Sequence, residues 1–406
     1  MSINREGATS ISFRQIKLFE TVGRLKSVRR ASEECNLSQP AVTQALFKLE
    51  QQVGACLLER RARGSYLNQL GEIFHRRATR LFAQMEQALA DLGIPAAAAP
   101  TIVKRISRAQ VRVLVAIVES GSFSLAAEAL GLSQASLQRA ARELESNLRK
   151  PLYCRTAAGL VVTPAGAEFG RKMKVAAQEI DWGVEELEAA LGVSNTQIVI
   201  GALPFGGSVL LASVLDDFIA LHPNADVKII NETAPEMMRK LHAGDVDFVM
   251  GLVQETTGDE LAHETFAHTP YVVAARRGHP LQRQGKLTID DLLAHDWVVG
   301  TPGSSRRACF ERLFPGAKAP KTPITTCALP VVRHLLARSN RLTLMTSYEV
   351  MHESQLVALP FGPIEPAPAI GVTMRANWLP TRLHADFIGL VRGRFSDAAN
   401  PGVAAA

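Results

Sequence analysis

The sequence predicts an α/β protein in three parts: two modules rich in α-helix and built alike, each running on into a long linker helix, then a domain of alternating strands and helices. Three observations carry this. Residues 15–71 recur at 110–166 without insertion or deletion, at a constant shift of 95 positions, as from Ser38 to Ser133. Apolar residues step at helix-seam spacing after each copy. Beyond residue 197, short β-branched runs alternate with helical patterns. A gapless repeat of that length is one folded domain made twice, because its period is too long for a solenoid.

The chain's 406 residues leave room for several domains, and 47% hydrophobic against 21% charged is ordinary globular composition. No run of about 18 apolar residues occurs, and the first residues lack the apolar stretch of a secretion signal. A cytoplasmic setting is expected. Cys35, Cys56, Cys154, Cys309 and Cys327 lack CxxC or CxxxC spacing and read as reduced and mostly buried. The net charge of +6 is uneven: residues 1–93 hold 14 Lys/Arg against 9 Asp/Glu, 101–193 hold 12 against 10, and the rest hold 19 against 20. A basic excess confined to the repeats fits phosphate neutralisation, although a solvated basic surface has the same composition.

Each module opens with an amphipathic helix, marked by Ile16, Phe19 and Val22 in copy one and by Val111, Leu114, Val115 and Val118 in copy two. Ser27 and Ser122 are candidate N-caps of a short second helix that packs through Ala31 or Ala126. After a turn, Ser38 and Ser133 can cap a third helix, and Pro40 fits its first turn without losing a hydrogen bond. Val42, Leu46 and Leu49, like Leu137, Ala141 and Leu144, form the stripe that must face the core. The opposite face shows Gln39, Thr43, Gln44 and Lys48 in copy one, and Gln134, Gln138, Arg139 and Arg142 in copy two. Gln matches adenine edges, Arg matches guanine, and Thr can meet a base or a thymine methyl. A tight turn leading to such a helix is the helix-turn-helix arrangement. Leu57-Leu58-Glu59-Arg60 to Gly64, and Leu152-Tyr153-Cys154-Arg155 to Gly159, read as a hairpin wing. There Arg60, Arg61, Arg63 and Arg155 are placed for phosphate. With Ser38, Pro40 and Ser133 at the helix starts, these are the candidate DNA-contacting residues. The alternative is a three-helix domain whose polar face is merely solvated.

From Phe19 to Gly71 the chain resembles the N-terminal domain of LysR-type transcriptional regulators, whose pattern is a small-residue step, LSQPAVSxxIxxLExxLGxxLFxR and LTxAG. Copy one matches through Ser27, Ala31, Leu37-Ser38-Gln39-Pro40-Ala41-Val42-Thr43, Leu49-Glu50, Val53-Gly54, Leu57-Leu58 and Arg60. Copy two matches through Gly121-Ser122-Phe123, Ala126-Ala127, Leu132-Ser133-Gln134, Leu144-Glu145, Leu152-Tyr153, Arg155 and Thr163-Pro164-Ala165-Gly166. Both depart from the pattern: copy one has Asn68-Gln69-Leu70-Gly71 for the threonine step, and copy two has Ala135-Ser136-Leu137 for Pro-Ala-Val and Arg149 for the glycine. Two copies in one chain is a further departure. The resemblance implies a regulator that binds double-stranded DNA, assembles through its linker helices and contacts RNA polymerase. Copy one, which keeps the reading helix and basic wing better, is the stronger candidate for sequence-specific contact.

Ala78, Phe82, Met85, Leu89 and Leu92 step by 4 and 3, as do Met173, Ala177, Ile180, Val184, Leu187 and Leu191, and such a seam suits a partner helix. Two seams per chain imply either four winged heads in a dimer or pairing of the copies within one chain. An Ala/Pro connector lies between them. From residue 197, Ile198-Val199-Ile200-Gly201, 227–230 and 246–250 read as strands separated by helices at 209–220 and 234–242, which implies a parallel sheet. Trp297-Val298-Val299-Gly300, 324–327, 342–345 and 369–374 supply later strands. Leu241, Gly244, Asp245, Asp247 and Gly251, with Gly278-His279-Pro280-Leu281, resemble the same regulators' effector domain, a type 2 fold like periplasmic solute-binding proteins. The chain looks most like a branch associated with sugars and related metabolites.

The expected boundaries are 12–93 for copy one with its linker, 94–104 for the connector, 105–193 for copy two with its linker, and 194–398 for the effector domain. Lobe one would hold 194–270 and 342–398, and lobe two 271–341. Ligands in α/β sheets sit beyond the strands' carboxyl ends, at helix N-termini. Candidates are Pro204, Phe205 and Gly206, then Glu232 and Thr233, then Thr301, Gly303, Ser304, Ser305 and Arg306. The last loop suits an anionic group, so a sugar-related or acidic metabolite is expected. No HExxH, GxSxG, Walker loop or GxGxxG occurs, so no enzyme, cofactor or metal is expected. Two further readings are a redox switch through Cys309 and Cys327, which needs a low-pKa thiolate, and a winged copy that serves only assembly.

Overall fold

Ser12 and Ser107 begin the two helical modules alike. Each accepts a hydrogen bond from the backbone N–H three residues on, while Gln15 or Gln110 reaches back to the serine's own N–H. The computed structural model describes residues 11–61, 64–157, 159–192, 197–203, 206–253, 259–316 and 319–398. The chain divides into two units, Met1–Thr196 and Gln197–Ala406.

The first unit runs α1 (Phe13–Leu25), α2 (Val28–Glu34), α3 (Gln39–Val53), hairpin β1 (Leu58–Arg61) and β2 (Gly64–Leu67), then the linker helix α4 (Gln69–Asp91). After the short α5 (Ala99–Val103), the order repeats as α6 (Arg108–Ser120), α7 (Phe123–Leu130), α8 (Gln134–Leu148), β3 (Tyr153–Thr156), β4 (Gly159–Val162) and α9 (Pro164–Ala190). Ser27, Ser38, Ser122 and Ser133 are the N-caps, and the third-helix stripes are buried in both copies. Gly71 and Gly166 are set by packing, since a Cβ would stand 2.0 Å from the Leu57 carbonyl oxygen and 2.3 Å from that of Leu152. Asn68, where the threonine step was missing, does the threonine's work. Its side chain accepts from Gly71 N at 2.8 Å, as Thr163 does from Gly166 N at 3.0 Å.

Helices α4 and α9 pack on each other within one chain, antiparallel: Arg77 meets Glu186, Gln84 meets Glu179, and Asp91 meets Lys172. The copies are therefore paired internally. One hydrophobic core runs through both copies, with Phe82, Met85 and Leu89 facing Met173, Ile180, Val184 and Leu187 inside it, while Leu191 ends the second seam exposed. The connector is not a free tether, because Ile94, Ala99 and Val103 are buried in that same core.

The second unit holds β5 (Gln197–Ala202), α10 (Gly206–Leu221), β6 (Asp226–Asn231), α11 (Ala234–Ala243), β7 (Phe248–Leu252), β8 (Leu261–His268), β9 (Tyr271–Arg276), α12 (Ile289–Leu293) and β10 (Val298–Val299). It continues with α13 (Ser305–Leu313), β11 (Ile324–Thr325), α14 (Leu329–Ala337), β12 (Thr343–Thr346), α15 (Ser347–Met351), β13 (Leu356–Ala358), β14 (Ala369–Arg375) and α16 (Arg382–Ala398). One sheet has the order β6–β5–β7–β14–β8. It is mixed rather than wholly parallel: β5 runs parallel to β6 and β7, and β14 antiparallel to β7 and β8. Strand–helix–strand crossovers build only the first three strands, and β14 enters in the opposite sense. The other lobe pairs β9 antiparallel with β12 and β13, beside the short parallel pair β10–β11. This corrects the lobe boundary. The chain at 342 does not return to the first lobe; β12 and β13 complete the second, and the return comes with β14.

Candidate nucleic-acid interface and ligand cleft

Helices α3 and α8 each bury an apolar stripe and leave the other face outside. In copy one Gln39, Pro40, Gln44 and Lys48 are exposed and Thr43 is half-buried; in copy two Gln134, Arg139 and Arg142 are exposed and Gln138 is half-buried. Ser38 and Ser133 are also exposed, but their hydroxyls cap the helices, accepting from Ala41 N at 3.4 Å and Ser136 N at 3.2 Å. They fix where each helix starts. Phe47 was missed by the sequence reading and is 58% exposed. Its signal was present: it lies four residues after Thr43 and three after Gln44, on the same face. Arg142 occupies the matching position of copy two, and Glu143 stands where copy one has Lys48. Gln39/Gln134 is thus the one identity among the six outward positions 39, 40, 43, 44, 47 and 48 and their counterparts.

Each hairpin is tied to the third helix of its own copy by a glutamate shared by both copies. Glu50 accepts from Leu57 N at 2.7 Å and Leu58 N at 3.1 Å, and Glu145 accepts from Leu152 N at 2.8 Å and Tyr153 N at 3.1 Å. These N–H groups begin the hairpin, so the carboxylate fixes wing against helix. Arg61 is exposed, pairs with Glu59 at 2.9 Å and lies over the Tyr66 ring at 5.3 Å. Arg155 is exposed on β3. The backbone of Arg60 pairs with Ser65, but its side chain and the whole of Arg63 lie outside the described residues.

In the second unit a small, half-open cleft is lined by Leu203, Thr233, Leu252, Tyr271, Thr301, Ser305 and Arg306, among others. Thr233 begins α11 without spending its side chain on the cap. Ser304 caps α13, accepting from Arg307 N at 3.2 Å and donating to the Thr301 carbonyl at 2.7 Å. Ser305 and Tyr271 share a hydroxyl–hydroxyl bond of 2.9 Å. Burial pushes the Tyr271 phenol up to about 12, so it stays protonated. Arg306 lines the cleft and also holds an internal partner. It is buried and donates to both carboxylate oxygens of Glu349, at 3.0 and 2.8 Å, so its charge is offset inside the protein. Glu232 and Gly303 are not in the cleft's lining. Pro204 and Phe205 lie outside the described residues, and Gly206 begins α10.

Cys327 lines this cleft, while Cys309 is buried and its thiol is raised by that burial. A raised thiol lacks the thiolate character that a redox switch requires. Among the described residues no group of His, Cys, Asp or Glu could hold a metal, and no helix is long and apolar enough to cross a membrane.

A family model described as a bacterial regulatory helix-turn-helix protein of the lysR family matches residues 13–72 and again 109–167. A LysR substrate binding domain matches residues 192–396. The transcriptional regulator GalR of Pseudomonas putida is 31% identical over 93% of this chain and 96% of its own length. That alignment leaves fewer residues unmatched than either copy contains, so it spans both. The regulator GbpR of Rhizobium radiobacter is 28% identical over 56% of this chain and 78% of its own. A full-length OxyR variant from Pseudomonas aeruginosa shares the fold with a TM-score of 0.51 at 17% identity, over 70% of this chain and 93% of that one.

Proposed function

The chain belongs to the LysR family of bacterial transcriptional regulators, and we propose that its two winged modules hold promoter DNA while the cleft of its second unit admits the metabolite that controls them. The observation that carries the DNA reading is the paired Glu50 and Glu145 clamp, which presents a capped helix and a wing in one orientation twice. Gln39, Thr43, Gln44, Phe47 and Lys48 in copy one, with Gln134, Gln138, Arg139 and Arg142 in copy two, are the groups that meet base edges or flanking phosphates. Arg60, Arg61, Arg63 and Arg155 grip the backbone. The chain acts by binding rather than catalysis, in the cytoplasm, and through contact with RNA polymerase.

The cleft's chemistry favours a small polar or anionic metabolite with an apolar portion. Thr233, Thr301, Ser305 and Tyr271, near the N-termini of α11 and α13, line the cleft together with Leu203 and Leu252. The test is a footprint of the full-length protein on its own upstream DNA across a salt series, with and without Thr43→Ala/Gln44→Ala. A specific, salt-sensitive footprint lost in the variant supports the reading. Protection that ignores the variants of both reading helices sinks it.

A further inference from the structure

The polar contacts between α4 and α9 obey the repeat. Arg77 donates to Glu186 at 2.8 Å and Lys172 to Asp91 at 2.7 Å. Under the shift that relates the copies, Arg77 corresponds to Lys172 and Glu186 to Asp91, so these are one contact seen twice. Gln84 corresponds to Glu179, and these two bond each other at 2.8 Å. That pair maps onto itself and marks a local pseudo-two-fold axis. The copies are therefore related as the halves of a two-fold dimer, inside one chain.

The charges across this seam are unlike on its two sides. Copy one supplies Arg77 and Arg80, and copy two answers with Glu179 and Glu186, with Arg77 and Glu179 fully buried. Pairing copy two with another copy two would set Glu179 against Glu179 on the axis, with Val175 in place of Arg80. Pairing copy one with itself would set Gln84 against Gln84 amid four arginines, with Asp91 as their acid. Both homotypic pairings misplace charge that the mixed pairing neutralises, and a buried charge without its partner is strongly unfavourable.

The reading faces are equally unlike. Under the repeat, Phe47 and Lys48 correspond to Arg142 and Glu143, and Thr43 and Gln44 to Gln138 and Arg139. Lysine and glutamate at one position ask for opposite groups, a phosphate or acceptor against a donor such as the cytosine amine.

We propose that a single chain is a complete two-headed DNA reader, in which Arg77, Arg80, Glu179 and Glu186 select copy one–copy two pairing, so that its operator joins two unlike half-sites in inverted arrangement. The operator part rests on the DNA-binding reading above; the pairing part does not.

Pairing is tested without DNA. In full-length protein carrying Cys56→Ser/Cys154→Ser, the variants Gln84→Cys, Glu179→Cys and both together are oxidised and run on a non-reducing gel. The double variant is expected to close within the chain and run as a faster monomer, and neither single variant to give a covalent dimer. A dimer from Gln84→Cys alone, a dimer as the main product of the double variant, or no link in it overturns the proposal. Asp91→Cys/Lys172→Cys repeats the test at the other end of the seam without disturbing Arg77. For the operator, full-length protein selects sites from a random duplex pool. Thr43→Ala/Gln44→Ala should weaken binding about tenfold or more and relax one half-site, and Gln138→Ala/Arg139→Ala should relax only the other. A selected site with two identical halves, both relaxed by the first variant, overturns the proposal. No specific binding at all would instead sink the DNA reading and leave the crosslinking result standing.

Discussion

Glu50 accepts hydrogen bonds from Leu57 N at 2.7 Å and from the following amide, while Glu145 repeats this in the second copy. One carboxylate thereby satisfies two amides that would otherwise start a strand with nothing to bond. Removing it exposes the cost of two poorly satisfied N–H groups, each about 1–3 kcal/mol when buried and less where water reaches. Glu50→Ala is expected to lower stability by about 1–3 kcal/mol overall and to loosen the wing of copy one alone. Urea unfolding reads the first effect. Amide exchange at Leu57 and Leu58 should quicken while Leu152 and Tyr153 stay protected; equal exchange in both wings would contradict the clamp.

Arg77 is fully buried between Glu179 and Glu186, at 3.0 and 2.8 Å. Burial lowers its pKa, yet the bonds and charges of Glu186 and Glu179 more than offset this and hold it above the usual arginine value. Breaking one side of such a cluster leaves a buried charge, so Glu179→Ala should cost about 3–5 kcal/mol. The related Lys172–Asp91 pair is more exposed, and Lys172→Ala should cost about 1 kcal/mol or less. Asp91 is held below its ordinary value, chiefly by the Lys172 hydrogen bond. A depressed folded pKa contributes stability above the unfolded value, here 3.8, and loses it as pH falls through the folded one. Unfolding from pH 7 to 5 should therefore show no change from this pair, and a Lys172-dependent loss only below 3.8. Equal costs for the two variants would contradict the asymmetry of the seam.

Arg306 and Glu349 sit beside the cleft as one internal ion pair. Arg306→Ala should destabilise the second unit by about 3–5 kcal/mol without any metabolite present, because Glu349 is left buried. Tyr271→Phe removes one hydroxyl from the lining and should leave the melting temperature within a few degrees while weakening metabolite-induced stabilisation. Differential scanning calorimetry with and without metabolite separates them. An Arg306→Ala protein that melts normally would contradict a structural role for the pair.

The helical half was legible because its signals are local. Caps such as Ser27 and Ser133, the stripe Val42–Leu46–Leu49, and the repeat itself lie within a few residues of what they cause. The partner of a seam is not local. Ala78 to Leu92 announces that a helix must meet it, but the choice of α9 over another chain depends on Arg77 finding Glu186 109 positions away. The second unit hid more for the same reason. β8 mixes half-buried and exposed residues with little β-branched content, and β12 and β13, at Thr343 and Leu356, join a lobe whose first strand, β9, begins far back at Tyr271. The internal acid of Arg306, Glu349, lies 43 positions on and was equally out of local reach.

Lys48 and Glu143 occupy the same place on the two reading helices and both are exposed. If each helix lies in a major groove, Lys48 stands near phosphate and releases counterions on binding, whereas Glu143 releases none. Lys48→Ala should then weaken binding to all duplexes and lower the slope of log affinity against log salt by about one. Glu143→Lys should raise that slope by about one and strengthen non-specific binding, because it adds a cation where copy two now carries an anion. Phe47→Ala should behave differently, lowering discrimination at its half-site with the salt slope unchanged, since an aromatic ring meets a thymine methyl rather than a phosphate. Titrations of duplex DNA between 50 and 200 mM salt distinguish the three. A slope insensitive to both Lys48→Ala and Glu143→Lys would place these faces away from DNA.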